Sequence, residues 1–392
     1  MKRVYVVSLL LIPMMACLSG CVNQKELDQR LEDLSLRPQR GTENTQEEIL
    51  QVAIGLEEPL KTPAPEPTAT PIPVTKIVIT AAGDCSLGNY EGQDYSYSFN
   101  QTYEKNGASY FLENVRKYFE EDDYTVVNLE GTLTTALEPA EDRTYNIKGD
   151  PSYAEILTLG SVESVSMANN HRWDFAAQGS KDTVEAIEGA GIKYAYNEFV
   201  SVYETKGIKI GHISINELNG YDPAMKFAKK GFAKLAEEDV DLIFCSVHWG
   251  IEREFYPTDS QKNMGKELID LGADIVIGHH PHVIQGIEMY DGKPIIYSLA
   301  NFSFGANRNP KDKDTFIFRQ EFSFVDGELT GDAPITIIPC LVSSTKERND
   351  YRPTPAQGED KARIIERLNE YSKEFGVTIS EEGVLSHEGN IL

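Results

Sequence analysis

Gly278-His279-His280-Pro281-His282 sets three of the chain's seven histidines within four positions, directly after Asp274-Ile275-Val276-Ile277. Neutral imidazole is the commonest metal ligand and the side chain best suited to proton transfer near neutral pH. In an extended segment, the spacing of His280 and His282 points both rings to one side. A lone histidine is more often a satisfied structural group. Three of them closing an apolar strand read as a metal or catalytic site on a rigid scaffold.

Five other apolar runs end in residues of the same chemical kind. Ile77–Ala82 runs into Gly83-Asp84, and Tyr124–Val127 into Asn128-Leu129-Glu130-Gly131. Ser164–Ala168 runs into Asn169-Asn170-His171, and Leu242–Val247 into His248-Trp249-Gly250 with Glu252 just beyond. Leu299-Ala300 leads to Asn301-Phe302. Singly these are ordinary caps and turns. Together they are a pattern, because open α/β sheets build their sites at the carboxyl ends of strands. The pooled donors are Asp, Glu, Asn and His, a set suited to Mn, Zn or Fe rather than to a thiolate-bound structural zinc. One or two divalent ions fit that number of ligands, and a pair can clamp a phosphoryl group.

The elements that must hold these residues alternate. Strands are expected at 76–82, 124–128, 164–168, 208–215, 242–248, 274–278 and 294–299. Helical spacing of apolar residues appears at 110–120, 180–190, 225–238 and 260–271. Such alternation predicts an α/β domain with helices covering sheet faces. Residues 316–324 and 333–342 read as an antiparallel pair turning through Asp326-Gly327, and 359–375 as a late helix, with the end of the chain peripheral. His212, alone in a strand, is expected to be structural, and His387 to play no special part. Cys245 and Cys340 fall in apolar runs and read as buried thiols. The aromatic segment 90–103 reads as a loop, either over the site or on the surface.

The linked motifs Gly-Asp, Asn-x-Glu-Gly, Asn-Asn-His, His-Trp-Gly-x-Glu, Gly-His-His-Pro-His and Asn-Phe resemble the CapA family of poly-γ-glutamate capsule synthesis, within the calcineurin-like metallophosphatase superfamily. The resemblance spans about Lys76 to Val342. It implies a four-layer α/β/β/α sandwich with the metal centre at one edge. It also implies Asp84, Glu130, Asn170, His248, His280 and His282 as metal ligands, Glu130 as the bridge between two ions, and His171 as proton donor to a leaving group. His280 would share one ion with Asn170 and His248, and His282 the other with Asp84. Asn128, Asn169, Asp174, Glu252, His279 and Asn301 would support the ligands or touch substrate. The chain departs from the superfamily at Asp84-Cys85-Ser86, where Asp-x-His is usual, so the ion served by His282 lacks one imidazole. Its bridge is a Glu rather than an Asp.

Composition narrows the partners. A net charge of −25 over 392 residues excludes nucleic acid, which needs clustered Lys and Arg. Lys2-Arg3 precede an apolar run, Val4 to Ala16, too short to span a bilayer comfortably, as in a secretory signal. Leu18-Ser19-Gly20-Cys21 looks like a bacterial lipobox, making Cys21 the lipid-bearing residue. Residues 22–75 are polar, then Pro-rich from Lys61 to Pro73, and read as a tether. The expected organisation is therefore 1–21 signal, 22–75 tether, 76–345 catalytic-type domain and 346–392 helix and tail. The expected function is membrane-anchored, extracytoplasmic work on a poly-γ-glutamate-type polymer, as a metal-dependent hydrolase or transferase alongside other synthesis or export proteins. The alternatives are an envelope metallophosphoesterase taking a phosphate-bearing substrate and a non-catalytic scaffold of an export complex.

Overall fold

The computed structural model describes residues 73–387, apart from 94, 142 and 331–333. The signal run, Cys21 and all but the end of the tether lie outside the described residues. Among the described residues, no helix is long and apolar enough to cross a membrane.

Two sheets face each other, with helices outside both. The first runs Thr354–Pro355, Ile335–Leu341, Asp314–Val325, Val74–Ser86, Tyr124–Leu129, Ser164–Ser166, Lys193–Ala195, with Asn301–Phe304 parallel to the end of Val74–Ser86. The second runs Ile287–Tyr290, Lys293–Ile296, Ile275–His279, Leu242–His248, Ile208–Asn216, Ser201–Thr205. Outside the first sheet, Val115, Phe119, Ile156, Leu157 and Ile187 pack on Val127, Leu129 and Val165. Outside the second, Ala228, Leu235, Met264 and Leu268 pack on Ile213, Cys245 and Val276. The helix-covered sheets expected from strand–helix alternation are thus present, in the α/β/β/α order that the family resemblance implies.

Period-2 alternation sorts every central strand between these cores. Ile77, Ile79, Tyr124, Val126, Ile210, Phe244 and Ile277 fill the space between the sheets. Along the same inner faces the character changes toward the carboxyl ends. Next comes a hydroxyl and imidazole layer. His212 accepts or donates at 3.0 Å to Ser164 Oγ of the first sheet and at 3.0 Å to Ser246 Oγ beside it, and Ser166 meets Ser214 at 2.7 Å. Burial pushes His212 down to about 3, so it is neutral, and its expected structural role stands. The last layer is Asp84, Asn128, Glu130, His248 and His279, all buried.

A β-bulge aims the first of these. The register of Val74–Ser86 on its neighbour shifts between Ala82 and Asp84. After the shift, Cys85 joins Ala82 in the outer core, leaving Asp84 on the inner face. Gly83 is required there, because a Cβ would sit 2.0 Å from the Ala300 carbonyl oxygen.

Several expectations need correction. The helix expected at 110–120 is only Arg116–Glu120, after a 3-10 turn at Ala108–Tyr110. Phe111 stacks on Phe99 at 4.3 Å, and this tertiary contact overrides a continuous helix. The antiparallel return after Asp326-Gly327 starts as Glu328–Thr330 and resumes as Ile335–Leu341, both pairing with Asp314–Val325. The chain's end is not peripheral: Ile364, Ile365 and Leu368 of the helix Gly358–Ser372 belong to the core between the sheets. Segment 90–103 is pinned, with Ser98 capping the helix Phe99–Asn106 and Phe99 fully buried. Cys85, Cys245 and Cys340 are buried and unbridged.

Candidate metal centre

Both sheets deliver their last inner-face residues to one edge of the sandwich. Asp84 lies in register with Asn128 and with Asn301, and His248 with His279. Asn128 Nδ2 donates to Asp84 Oδ1 at 2.8 Å and approaches Glu130 Oε2 at 3.3 Å. Its own Oδ1 accepts from Asn169 Nδ2 at 3.1 Å, which also reaches the Leu129 carbonyl at 2.8 Å. An amide chain therefore fixes both carboxylates before any ion arrives.

The second sheet answers with imidazoles. His279 Nδ1 is 3.1 Å from Asp84 Oδ1, and His282 Nδ1 is 3.2 Å from Oδ2. His282 Nδ1 also meets Asn301 Oδ1 at 2.9 Å, while its Nε2 is 3.6 Å from Glu130 Oε1. His248 Nε2 meets Asn170 Oδ1 at 2.8 Å, and the His248 and His280 ring centroids are 4.8 Å apart. The strand ends at His279, however, so His280 and His282 do not share an extended segment. Their φ values are 94° and 56°, and Ala300 beside them has 64°. Backbone held in this region costs on the order of 1–3 kcal/mol per residue and gathers at functional sites. The turn is held by Arg253 N donating to the Pro281 carbonyl at 2.8 Å. Trp249 Nε1 donates to the Tyr297 carbonyl at 2.8 Å, packed so closely that a Cβ at Gly278 would lie 2.3 Å from the indole nitrogen.

The electrostatics of the two acids differ. Burial alone would raise Asp84, but the close approach of His279 and His282 outweighs it and holds the carboxyl well below the usual range. Glu130 is pushed up to about 7, by burial first, with Asp84's charge adding to it against the pull of His282. Burial opposes the charged form of His282, yet Glu130 and Asp84 together lift it to about 9. His248 falls well below its ordinary value and His280 to about 4, through burial and neighbouring imidazoles. At neutral pH these two rings are free to act as ligands.

The residues fit a divalent ion. Glu130 Oε1, His248 Nδ1 and His280 Nδ1 are buried without a hydrogen-bond partner and lie together at the site, where an ion would satisfy all three. Two groups of donors come within 4.8 Å of one another: Asp84, Glu130 and His282, and Glu252, His280 and His282. The expected ligands Asp84, Glu130, Asn170, His248, His280 and His282 are thus brought together, with His282 in both groups. Glu252, expected as support, stands in the geometry as a donor. Ser86 is buried with its hydroxyl unpartnered.

His171 closes one side. Its Nδ1 bonds Asp174 Oδ2 at 2.7 Å, and its Nε2 lies 3.8 Å from Glu130 Oε1. Asp174 is fixed by the Ile147 amide at 2.7 Å and faces Arg143 at 3.6 Å. Burial lowers the imidazole, but the bond to Asp174 and the charge of Glu130 raise it above its ordinary value. Glu130, His171, Glu252 and His282 line a cavity of about 720 Å³, which Arg253, Arg308, Lys311, Tyr90 and Tyr145 also line. Tyr90 opens the aromatic segment expected over the site or on the surface; Tyr145, Arg253, Arg308 and Lys311 did not stand out in the sequence. The one available signal was the turn-rich run Asn307-Arg308-Asn309-Pro310-Lys311 closely following a strand end.

A four-layer α/β/β/α sandwich gathering acids, amides and imidazoles at the strand ends is a metallophosphatase-like protein. Residues 78–306, more than half the chain, match the family described as bacterial capsule synthesis protein PGA_cap, and the chain belongs to that family. It is similar to the PGA biosynthesis protein CapA of Bacillus subtilis (strain 168), 27% identical over 242 residues that cover 57% of this chain and 62% of that protein. The capsule biosynthesis protein CapA of Bacillus anthracis is 27% identical over 256 residues, 58% of this chain and 60% of its own length. A probable polyglutamine synthesis accessory protein of Mycobacterium tuberculosis (strain ATCC 25618 / H37Rv) is 29% identical over 209 residues, 46% and 55%. The chain thus spans about three fifths of the two Bacillus proteins.

Proposed function

We propose that this protein is a metal-dependent hydrolase or transferase acting on a poly-γ-glutamate-type polymer during its synthesis or export. The observation that carries the reading is Glu130: a buried carboxylate with an unpartnered oxygen, flanked by His171 and His282 on the floor of an open cavity. Asp84, Glu130 and His282 would hold one divalent ion and Glu252 with His280 a second, with Asn170 and His248 adjoining. Mn, Zn and Fe all suit such donors. When bound, the ion supplies Lewis-acid stabilisation of developing negative charge.

The chain's own residues do the rest. Asp174 fixes the His171 ring so that Nε2 faces Glu130, which suits proton delivery to a leaving group. Asn128 Nδ2 donates to both Asp84 and Glu130 and so orients the two carboxylates. Similarity to capsule-synthesis proteins supports the polymer as substrate class. The signal-like run with Cys21 supports a lipid-anchored, extracytoplasmic placement in which the tether spaces the domain from the membrane and partner synthesis or export proteins.

The test is metal analysis of the purified full-length chain together with turnover of a γ-linked glutamate oligomer and of a phosphodiester. The expected result is copurified metal and γ-glutamyl turnover that falls about 10²–10⁴-fold in His171→Gln with metal content unchanged. Phosphodiester turnover alone would favour an envelope phosphoesterase. Absence of both metal and turnover, with polymer output unaffected by His171→Gln, would leave a scaffold.

A further inference from the structure

The cavity that the metal donors line also carries three cations, in a chain whose net charge is −25. Arg253, Arg308 and Lys311 reach it from two distant segments, and all three are exposed. Among the described residues, no acidic side chain pairs with any of them. The one acid on the same loop, Asp312, is occupied by Arg367 at 2.6 and 3.0 Å.

The loop is fastened from beneath. Asn349 Nδ2 donates to the Phe304 and Asn307 carbonyls at 2.8 and 2.9 Å. Lys313 Nζ binds the Thr345, Lys346 and Arg348 carbonyls at 3.0–3.2 Å. The Arg308 guanidinium lies over Tyr95 and Tyr97, 5.1 and 4.8 Å from the ring centroids. Opposite, Gln285 Nε2 holds the Glu254 carbonyl at 2.8 Å, fixing the turn that carries Arg253. Such fixed charges lose little freedom on binding an anion. The family match ends at Ala306, so Arg308 and Lys311 lie beyond the matched residues.

We infer that Arg253, Arg308 and Lys311 form a specificity wall for substrates carrying two or more carboxylates displaced from the reacting bond. This rests on the reading of the cavity as a reaction site. Donors and cations that line one cavity divide the labour: the donors act on one bond while the cations take the negative charges near it. A phosphate would meet the same cations, so the two anion classes must be separated by experiment.

The experiment measures binding of a γ-linked glutamate oligomer, its methyl ester and inorganic phosphate to the full-length chain, with and without chelator. The expected result is salt-sensitive binding of the free-acid oligomer, none of the ester, and roughly tenfold weaker binding in each of Arg308→Gln and Lys311→Gln. Arg308→Lys should recover part of the loss. Arg348→Gln is the structural control, since Arg348 also stacks on Tyr97, at 5.1 Å, but does not line the cavity. Equal loss in Arg348→Gln, unchanged binding in the wall variants, or equal competition by inorganic phosphate overturns the inference. Oligomer binding that depends on the wall but persists without metal or turnover would sustain it while the catalytic reading fails. Normal turnover with wall-independent binding would do the reverse.

Discussion

The two sheets bring opposite chemistry to the same edge. The first contributes Asp84 and Glu130, tied together through the amides of Asn128 and Asn169, and the amides of Asn170 and Asn301, which reach across to His248 and His282. The second contributes His248 and His279 at strand ends, and Glu252, His280 and His282 on the turns that follow, where His280 and His282 have positive φ. The acids are prepaired within their sheet, whereas the imidazoles find charge partners only across the sandwich. A centre of this kind exists only in the assembled fold. Its two walls should therefore respond differently to damage.

Asp84 is where the walls meet most tightly, touching His279, His282 and the His280 amide as well as Asn128. Asp84→Ala removes the shared anion and leaves His282 buried beside one acid instead of two. Breaking a buried charge pair costs about 3–5 kcal/mol, so urea unfolding in chelator should show a loss of that order, and metal should vanish. A loss below about 1 kcal/mol would mean that the sheets associate without help from this contact, and the comparison would break.

His282 and His280 then separate one wall's two rings. His282 belongs to both donor groups and touches both acids, while His280 belongs to one. His282→Ala should abolish metal binding, and His280→Ala should reduce it. Equal losses would show that the ions, if two, bind only together.

The two ends of the first sheet offer a smaller contrast. At the far end, Asp122 and Glu163 are each pushed up to about 7, chiefly by burial. Ordinary carboxyls titrate near 4 when unfolded, so between about pH 4 and 7 the folded chain binds more protons. That stabilisation is full below about pH 4 and is lost as pH rises through 7. Asp122→Asn with Glu163→Gln should flatten this part of the stability–pH curve and raise the melting temperature at pH 8, as calorimetry would read. An unchanged slope would show that these acids are paired as well as those at the site.

Where sequence legibility ended follows the same division. The central strands were readable because each carries period-2 apolar residues before its polar end, and Leu242–His248 fell where expected. The acids and amides were readable as strand termini. What escaped depends on the chain's path after a strand. The bulge at Gly83 is a register event with no local pattern. The turn through His280 and His282 is imposed by a contact with Arg253. Glu252 becomes a donor only because that turn brings His280 to it, and Arg308 and Lys311 come from a loop more than fifty residues further along the sequence.

Ser86 provides the finest test. The superfamily pattern places an imidazole there, and the sequence reads as a centre short of one ligand. Yet the Ser86 hydroxyl is fully buried and unpartnered, while Glu252 joins His280 and His282 as an added acid. If Glu252 has taken over the missing share, Ser86 contributes nothing to metal binding, and removing a buried hydroxyl that bonds to nothing should be neutral or slightly stabilising. Ser86→Ala should therefore keep its metal and shift stability by less than about 0.5 kcal/mol, whereas Glu252→Gln should lose metal. The reverse result, metal lost in Ser86→Ala and kept in Glu252→Gln, would return the second wall to imidazoles alone.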